Sequence, residues 1–322
     1  MKHKDKNNFG IIIPYFQKMP GLLTRAVRSV LDQTCRDRVF IVVVDDGSPH
    51  PARTELDAFT EEERASILLI EQVNAGVSAA RNRGIDAMPD EVGYLAFLDP
   101  DDTWHPQHLE NASIAFESGA EFYFADFQRC GSDKTRFERS NLDLSLHTKC
   151  PSGWELYRFC GEFRSDMIRT TMVGTSTVVM SQKLCGANRF NVDLTASEDI
   201  LMWFLAVKST SIVYFSARCE AMYGVCVGLI TNSTWGSMRS MRVALDQAKM
   251  LAIIIKEPDN DIVTWIKKEQ INIQNNCCRT IIHRLVRRKK IDIGAIFKFV
   301  ILKPMIVFRF FRCSWCIIND RG

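Results

Sequence analysis

The sequence predicts an α/β protein built on a mostly parallel, doubly wound sheet with a helical C-terminal extension. Short apolar, β-branched runs (Phe9 to Ile13, Phe40 to Val44, Ile67 to Ile70, and the run from Tyr94) alternate with segments of helical period, Leu22 to Asp32 and Val77 to Met88. That alternation is the mark of right-handed βαβ units. Two acidic clusters, Asp45-Asp46 and Asp99 with Asp101-Asp102, each follow one of those strands, and ligands of such sheets bind beyond the carboxyl ends of the strands. With 322 residues, 46% apolar and 25% charged, the chain is of ordinary globular composition and can bury about three quarters of its unfolded surface without staples.

The first helix places Leu22, Ala26, Val27, Val30 and Leu31 on one face. The strand from Tyr94 is expected to stop at Asp99, because Pro100 lacks the N–H that a central ladder needs. In extended backbone Asp99 and Asp101 project to the same side, and crowded carboxylates repel one another unless a cation lies among them. A hard divalent ion such as Mg²⁺ or Mn²⁺ suits them, held by few protein ligands. The same residues also read as turns: Asp-Pro-Asp-Asp is good turn chemistry. Likewise Asp45-Asp46-Gly47-Ser48 reads as a turn and helix cap, and Arg81 as a surface partner for Asp86 or Glu91.

Further along, Ser113 to Glu121 has helical period, Phe122 to Asp126 reads as a strand, and Gln128 to Cys150 is polar. Thr175 to Met180 reads as another strand, and Ser197-Glu198-Asp199 opens an apolar helix over Ile200 to Val207. Met241 to Ile255 and Ile262 to Ile282 are helical in pattern. Ile293 to Phe311 is aromatic and aliphatic, but Lys298, Lys303, Pro304 and Arg309 interrupt it, which argues against a transmembrane span.

The net charge is only +3, yet from Arg279 to Arg312 basic residues are dense and Asp292 is the only acid. Such a basic, aromatic end suits the surface of an anionic membrane; packing on the catalytic domain is the other reading. The polar N-terminus and the Ile11 to Ile13 run, broken by Pro14, are too short for a signal-peptide core. A cytoplasmic chain, peripheral at the inner membrane face, is therefore expected, with no nucleic-acid partner. The eleven cysteines form no framework: Cys313-Ser314-Trp315-Cys316 is a lone C-x-x-C, so reduced, mostly buried thiols are expected. Sequons at Asn111 and Asn232 carry no meaning in such a compartment.

Five segments together resemble the serial motifs of family 2 glycosyltransferases: Ile11-Ile12-Ile13-Pro14, Ser29 to Thr34, Val43 to Ser48, Asn74 to Asn82, and Phe97 to Asp102. They stand in the family's order over roughly the first 110 residues, a more specific signal than any one alone. The resemblance implies a GT-A fold, a nucleotide-sugar donor, a divalent metal and inversion at the anomeric carbon. Residue by residue, it implies that Asp46 accepts a hydrogen bond from the nucleobase, most often uracil, and that Pro14 and Phe16 lie beside the base. It puts Arg81 near the donor pocket and Asp99 at the ribose or sugar. Asp101 becomes the principal metal ligand, with Asp99 sharing the metal site and Asp102 nearby. Tyr15, Phe16 and Gln17 depart from the family's usual Thr or Ser, Tyr and Asn.

The resemblance divides the chain into a donor half (1–126), an acceptor and base half (127–235) and the basic extension (236–322). An inverting transfer needs a carboxylate to take the acceptor's proton. Asp199 is the expected base and Glu198 the substitute; an acid at the start of a helix also simply complements the helix dipole. Gln128 to Cys150 is then either an acceptor-side loop or a surface insertion. His105 and His108 suggest metal or phosphate contacts, although exposed loop histidines are commoner. Trp154 and Trp235 offer sugar-stacking faces or core packing. The expected activity is transfer of a hexose (glucose, galactose or an N-acetylhexosamine) from a UDP-sugar to a lipid-linked glycan, in O-antigen, capsule or lipopolysaccharide-core assembly. A non-catalytic nucleotide- or glycan-binding scaffold is the rival from another class. A nucleotidyltransferase would need a Gly-rich phosphate loop that Phe9 to Gly21 does not offer.

Overall fold

The computed structural model describes residues 8–224, 237–257, 260–302 and 310. In chain order the first elements are β1 (Asn8–Tyr15), α1 (Leu22–Leu31), β2 (Val39–Asp45), α2 (Ala52–Leu56), α3 (Glu61–Arg64), β3 (Ile67–Glu71), α4 (Val77–Asp86) and β4 (Val92–Phe97). There follow β5 (Thr103–Trp104), α5 (His108–Glu117), β6 (Phe122–Arg129), α6 (Arg136–Ser140), β7 (Thr148–Lys149), β8 (Leu156–Arg158) and α7 (Phe163–Thr170). The rest are β9 (Val179–Ser181), α8 (Gln182–Gly186), α9 (Glu198–Ala206), β10 (Val213–Tyr223), α10 (Met238–Ile254), α11 (Asn260–Val286) and α12 (Ile293–Leu302).

One sheet takes all the strands, in the order β3-β2-β1-β4-β9-β6-β10-β8-β7, with β5 paired to β10. The β-branched runs explain its parallel half. Ile11, Ile12, Ile13, Val42, Val43 and Val44 are all fully buried, so both faces are covered, as a parallel sheet requires. β1 runs parallel to β2 and β4, and β2 parallel to β3. β9 then inserts antiparallel to both β4 and β6, and β10 runs parallel to β6. Two reversals restore the direction, so β1, β2, β4, β6 and β10 all end at one edge.

By contacts the chain forms two units. Residues 8–192 and 202–224 make the first, which holds the sheet, and residues 193–201 and 237–302 belong to the second. The expected halves 1–126 and 127–235 thus both contribute strands to the same sheet. In the first unit, one face of the sheet packs against α1 through Ala26, Val27 and Val30. An aromatic cluster includes Phe97, Phe122, Phe124, Phe190 and Trp203, with ring centroids 5.2–6.5 Å apart in its closest pairs. The second unit buries Met241, Leu245, Ala248 and Leu251 of α10, and Ile262, Ile266, Ile273 and Cys277 of α11.

Several expectations shift. β4 stops at Phe97 rather than Asp99, although Leu98 N still donates to Ile12 O (3.1 Å). α5 begins at His108, five residues before the expected Ser113. Thr175–Thr177 is a 3-10 turn and only Val179–Ser181 is strand, because the three hydroxyl-bearing residues meet polar partners instead of a ladder. The polar stretch from Gln128 holds α6 and β7; Thr135 and Glu138 close a capping box that starts α6. All eight described cysteines are free, but Cys130 and Cys160 are exposed. Trp235, Asn232 and the Cys313–Cys316 pair lie outside the described residues.

Candidate active site

Two acidic turns meet at the common carboxyl edge. After β2, Asp45 turns inward and accepts from Ser48 N and Ala52 N, each at 2.8 Å, so it caps the entry to α2. Asp46, 3% exposed, accepts from Gln72 Nε2 (2.8 Å), Ala75 N (2.7 Å) and Gly76 N (2.8 Å). Asn74 Nδ2 donates to its carbonyl at 2.9 Å. Asp46 therefore ties the loop after β3 to the end of β2. Gly76 can sit there because its φ of 92° lies in the left-handed region.

That loop starts α4. A Cβ at Gly84 would lie 2.6 Å from Ile12 Cγ2, so only glycine lets α4 approach β1 this closely. The close approach buries Arg81 (3% exposed) and brings its Nη2 to 2.7 Å from Asp99 Oδ1, with Phe190 beneath the guanidinium at 5.2 Å. Asp86 pairs instead with Arg189, at 2.7 Å, so Arg81 is no surface partner for it.

The Asp99–Asp102 turn is held from several sides. Asp102 N donates to Asp99 O (3.0 Å). Ser176 is fully buried, and its Oγ donates to Asp102 Oδ2 (2.5 Å) while accepting from Asp99 N (3.0 Å). Its carbonyl accepts from Trp104 Nε1 (2.5 Å), and its amide donates to the Tyr223 hydroxyl (2.9 Å). Gly224 N donates to Asp102 Oδ1 (2.8 Å), and a Cβ on Gly224 would fall 1.8 Å from Asp101 O. Ser176 and Gly224 were not found in the sequence. The readable signals were a run of small hydroxyl residues inside an apolar stretch and a glycine closing a strand.

Electrostatics separate the three acids. Burial, then the charge of Asp99, raises the pKa of Asp101, while Arg25 works the other way. Burial, then Asp99 and Asp101, raises Asp102 well above the carboxylate range; the bonds from Ser176 and Gly224 only partly offset this. Asp102 is thus committed to the protein, whereas Asp101 is a carboxylate at odds with its negative neighbours. Among the described residues no group of three or more His, Cys, Asp and Glu side chains forms a metal cage. The donor set left at this edge, Asp101 together with the Asp99 carboxylate that Arg81 pairs, is of the kind that would hold a hard cation with few protein ligands.

Pro14 is buried in β1, opposite Val44. Phe16, just beyond the strand, is 47% exposed. Tyr15 points into the core, where its hydroxyl donates to Glu55 Oε1 (2.9 Å). His108 is not a loop histidine: it is fully buried, with Nδ1 2.9 Å from Glu220 Oε2. Tyr123 and Asn111 also donate to Glu220, each at 2.6 Å. Asn111 is 1% exposed, which closes that sequon to glycan. His105 is exposed. Trp154 is half-exposed with the Arg218 guanidinium 4.6 Å above it. Glu198 and Asp199 open α9 and belong by contacts to the second unit; Glu198 is buried, and Asp199 Oδ1 accepts from Ile200 N (2.8 Å).

The family model described as Glycosyl transferase family 2 matches residues 10–185. The Succinoglycan biosynthesis protein ExoW of Rhizobium meliloti is 34% identical over 217 residues, which cover 66% of this chain and 68% of that protein. Among solved structures, S. aureus TarS 1-349 in complex with UDP-GlcNAc aligns with a TM-score of 0.59 at 13% identity, over 94% of this chain and 81% of that one. The mannosyltransferase PcManGT of Pyrobaculum calidifontis, in complex with GDP-Man and Mn²⁺, aligns with a TM-score of 0.56 at 11% identity, over 98% and 88%. At those identities the two structures share the fold.

Proposed function

The chain belongs to glycosyltransferase family 2, and from that premise we propose that it is an inverting enzyme of surface-polysaccharide synthesis. It moves a hexose (glucose, galactose or an N-acetylhexosamine) from a UDP-sugar to a lipid-linked glycan of the O-antigen, capsule or lipopolysaccharide-core kind. The observation that carries this reading is the assembly of Arg81, Asp99, Asp101 and Asp102 at one sheet edge, beside the Asp46 loop. The relative named for succinoglycan biosynthesis supports the pathway class, and the UDP-GlcNAc complex of TarS supports the donor class.

In this mechanism the uracil lies against exposed Phe16, with buried Pro14 behind it in β1, at the loop that Asp46 clamps. Arg81 fixes the Asp99 carboxylate toward ribose and sugar. Asp101 and Asp99 would hold Mn²⁺ or Mg²⁺, which would supply neutralisation of the charge that develops on the leaving diphosphate. Asp199 takes the proton of the acceptor hydroxyl as that oxygen bonds to C1 from the opposite face; Glu198 is its substitute. The bond from C1 to the diphosphate oxygen breaks with its electron pair, and UDP departs.

An exposed apolar stripe on α12 supports the lipid-linked acceptor. Ile293, Phe297 and Ile301 of α12 recur every four residues and are 77%, 65% and 65% exposed. The exposed run Arg287 to Lys290 precedes them, and Arg242 neutralises Asp292 at 2.8 Å. An apolar stripe with flanking cations binds anionic bilayers, each cation contributing about 1 kcal/mol. Flotation with anionic vesicles should carry the protein upward; Phe297→Asp floating as well as wild type would exclude this face.

The test of the activity is UDP release from a panel of UDP-sugars with Mn²⁺ and lipid-linked glycan extract, followed by NMR of the product anomer. One UDP-sugar should turn over with inversion, and Asp199→Asn should abolish transfer. If no sugar turns over while the chain still binds UDP, the scaffold reading replaces this one.

A further inference from the structure

Beyond the acidic edge, the same side of the sheet carries a concentration of cations. β6 ends at Arg129, which pairs in register with Tyr223 of β10; Cys130 N donates to Tyr223 O at 2.9 Å. Tyr223 in turn accepts from Ser176, and the next residue, Gly224, binds Asp102. The end of β6 is therefore one strand away from the residue that grips the acidic turn. Around it Arg129, Lys134, Arg136 and Arg139 line one small depression with Ser132 and Phe127.

Four cations stand here against three carboxylates, Asp126, Asp133 and Glu138, and two of those carboxylates accept from backbone amides. Asp126 is buried, and its Oδ1 accepts from Phe127 N (2.8 Å) and Phe137 N (2.9 Å). Glu138 Oε2 accepts from Thr135 N (2.7 Å) in the capping box, which leaves Asp133 as the remaining acid of this loop. Arg136 is committed to the fold: it donates to Thr171 O (3.0 Å) and also bonds Thr170 O and Thr171 Oγ1. Arg139 Nη2 donates to Ser132 Oγ (2.9 Å), which holds its guanidinium at the depression, while Arg129 and Lys134 are exposed. Crowding by Arg129 and Arg139 adds to burial in lowering the Arg136 pKa, which marks how closely these cations converge.

We propose that Arg129, Lys134 and Arg139 bind a phosphate group of the acceptor, beside the acidic turn. Planar guanidinium forks match phosphate oxygens bidentately, and the lysine adds a point charge. The proposal rests on the transfer reading above, and it narrows the acceptor to one that carries phosphate near the hydroxyl to be glycosylated. That phosphate comes from one of two sources: the diphosphate joining a glycan to its lipid carrier, or a phosphodiester within a polymer.

Calorimetry of the full chain in EDTA, titrated with inorganic pyrophosphate and separately with dimethyl phosphate, tests the site. The variants are Arg129→Ala/Arg139→Ala and, as a control in the acidic turn, Asp101→Asn. Wild type and Asp101→Asn should bind at least one probe equally. The double variant should bind it at least about tenfold more weakly, because it loses two charge-assisted contacts. Preference for pyrophosphate identifies the lipid-carrier source, and preference for dimethyl phosphate the polymer source. Binding of neither probe to wild type, or equal binding by wild type and the double variant, overturns the proposal. UDP with Mn²⁺ is titrated in parallel: absence of UDP binding in every variant sinks the transfer reading, and the anion site is still judged by its own arm.

Discussion

Replacing Ser176 by alanine should destabilise the chain well beyond the effect of an ordinary surface substitution. The hydroxyl donates to buried Asp102 at 2.5 Å and accepts from the Asp99 amide at 3.0 Å. A bond to a charged group contributes about 1.5–3 kcal/mol, and leaving a buried amide unpartnered costs about 1–3 kcal/mol. Asp102 can limit its share of the loss by taking up a proton, since its pKa is already raised. The expected destabilisation is about 3 kcal/mol, which corresponds to a fall of about 6–12 °C in Tm. The turn that carries Asp101 loses two of its anchors together, so stabilisation by UDP with Mn²⁺ should also weaken. The assay is urea unfolding at constant m, paired with thermal protection by UDP with and without Mn²⁺. A loss within about 0.5 kcal/mol, the range of an ordinary surface substitution, together with an unchanged Mn²⁺ effect, would refute the role given to Ser176.

Gly224→Ala places a methyl 1.8 Å from Asp101 O, so the turn must move; Mn²⁺-dependent UDP affinity should drop, as calorimetry would show, while far-UV circular dichroism stays unchanged. Glu220→Leu strands buried His108, Tyr123 and Asn111 and should cost about 3–5 kcal/mol. Adding His108→Leu should recover at least about 1 kcal/mol in the double-mutant cycle; strict additivity in urea unfolding would argue against a coupled pair. Asp101 and Asp102 have folded pKa values above those of the unfolded chain, so the folded state binds protons more tightly. Their contribution to metal-free stability is therefore greatest at low pH and falls as pH rises from about 4 through the raised values. Unfolding in EDTA across that window should show this slope, and Asp101→Asn/Asp102→Asn should lack it.

The parallel half of the sheet was legible because Ile11 to Ile13 and Ile41 to Val44 are apolar runs buried on both faces, and the two acidic turns were legible because each follows such a run. What holds the second turn was not legible. Ser176 and Gly224 reach Asp102 across 74 and 122 residues of sequence, and neither local propensity nor periodicity reports a bond of that range. His108 was misread for the same reason: its segment around Pro106 looks solvated, and only the return of β10 brings Glu220 over it. The start of α6 is different. Thr135-Arg136-Phe137-Glu138 is a local capping signal inside the polar stretch, so that helix could have been found. Asp46 was read as a ligand contact, and what its carboxylate does in the structure is clamp Ala75 and Gly76, a bond pattern across 29 and 30 residues that the Asp-Asp-Gly-Ser turn does not announce.

The most direct test of the central claim is thermal protection by UDP, GDP, CDP and TDP, each with and without Mn²⁺, on wild type and on Asp101→Asn. A ligand that binds only the folded chain at one hundred times its Kd adds about 2.7 kcal/mol. UDP should give a Mn²⁺-dependent shift that Asp101→Asn loses. A shift with no nucleotide, or one that survives in Asp101→Asn with the same Mn²⁺ dependence, would contradict a metal-assisted UDP site at the acidic turn.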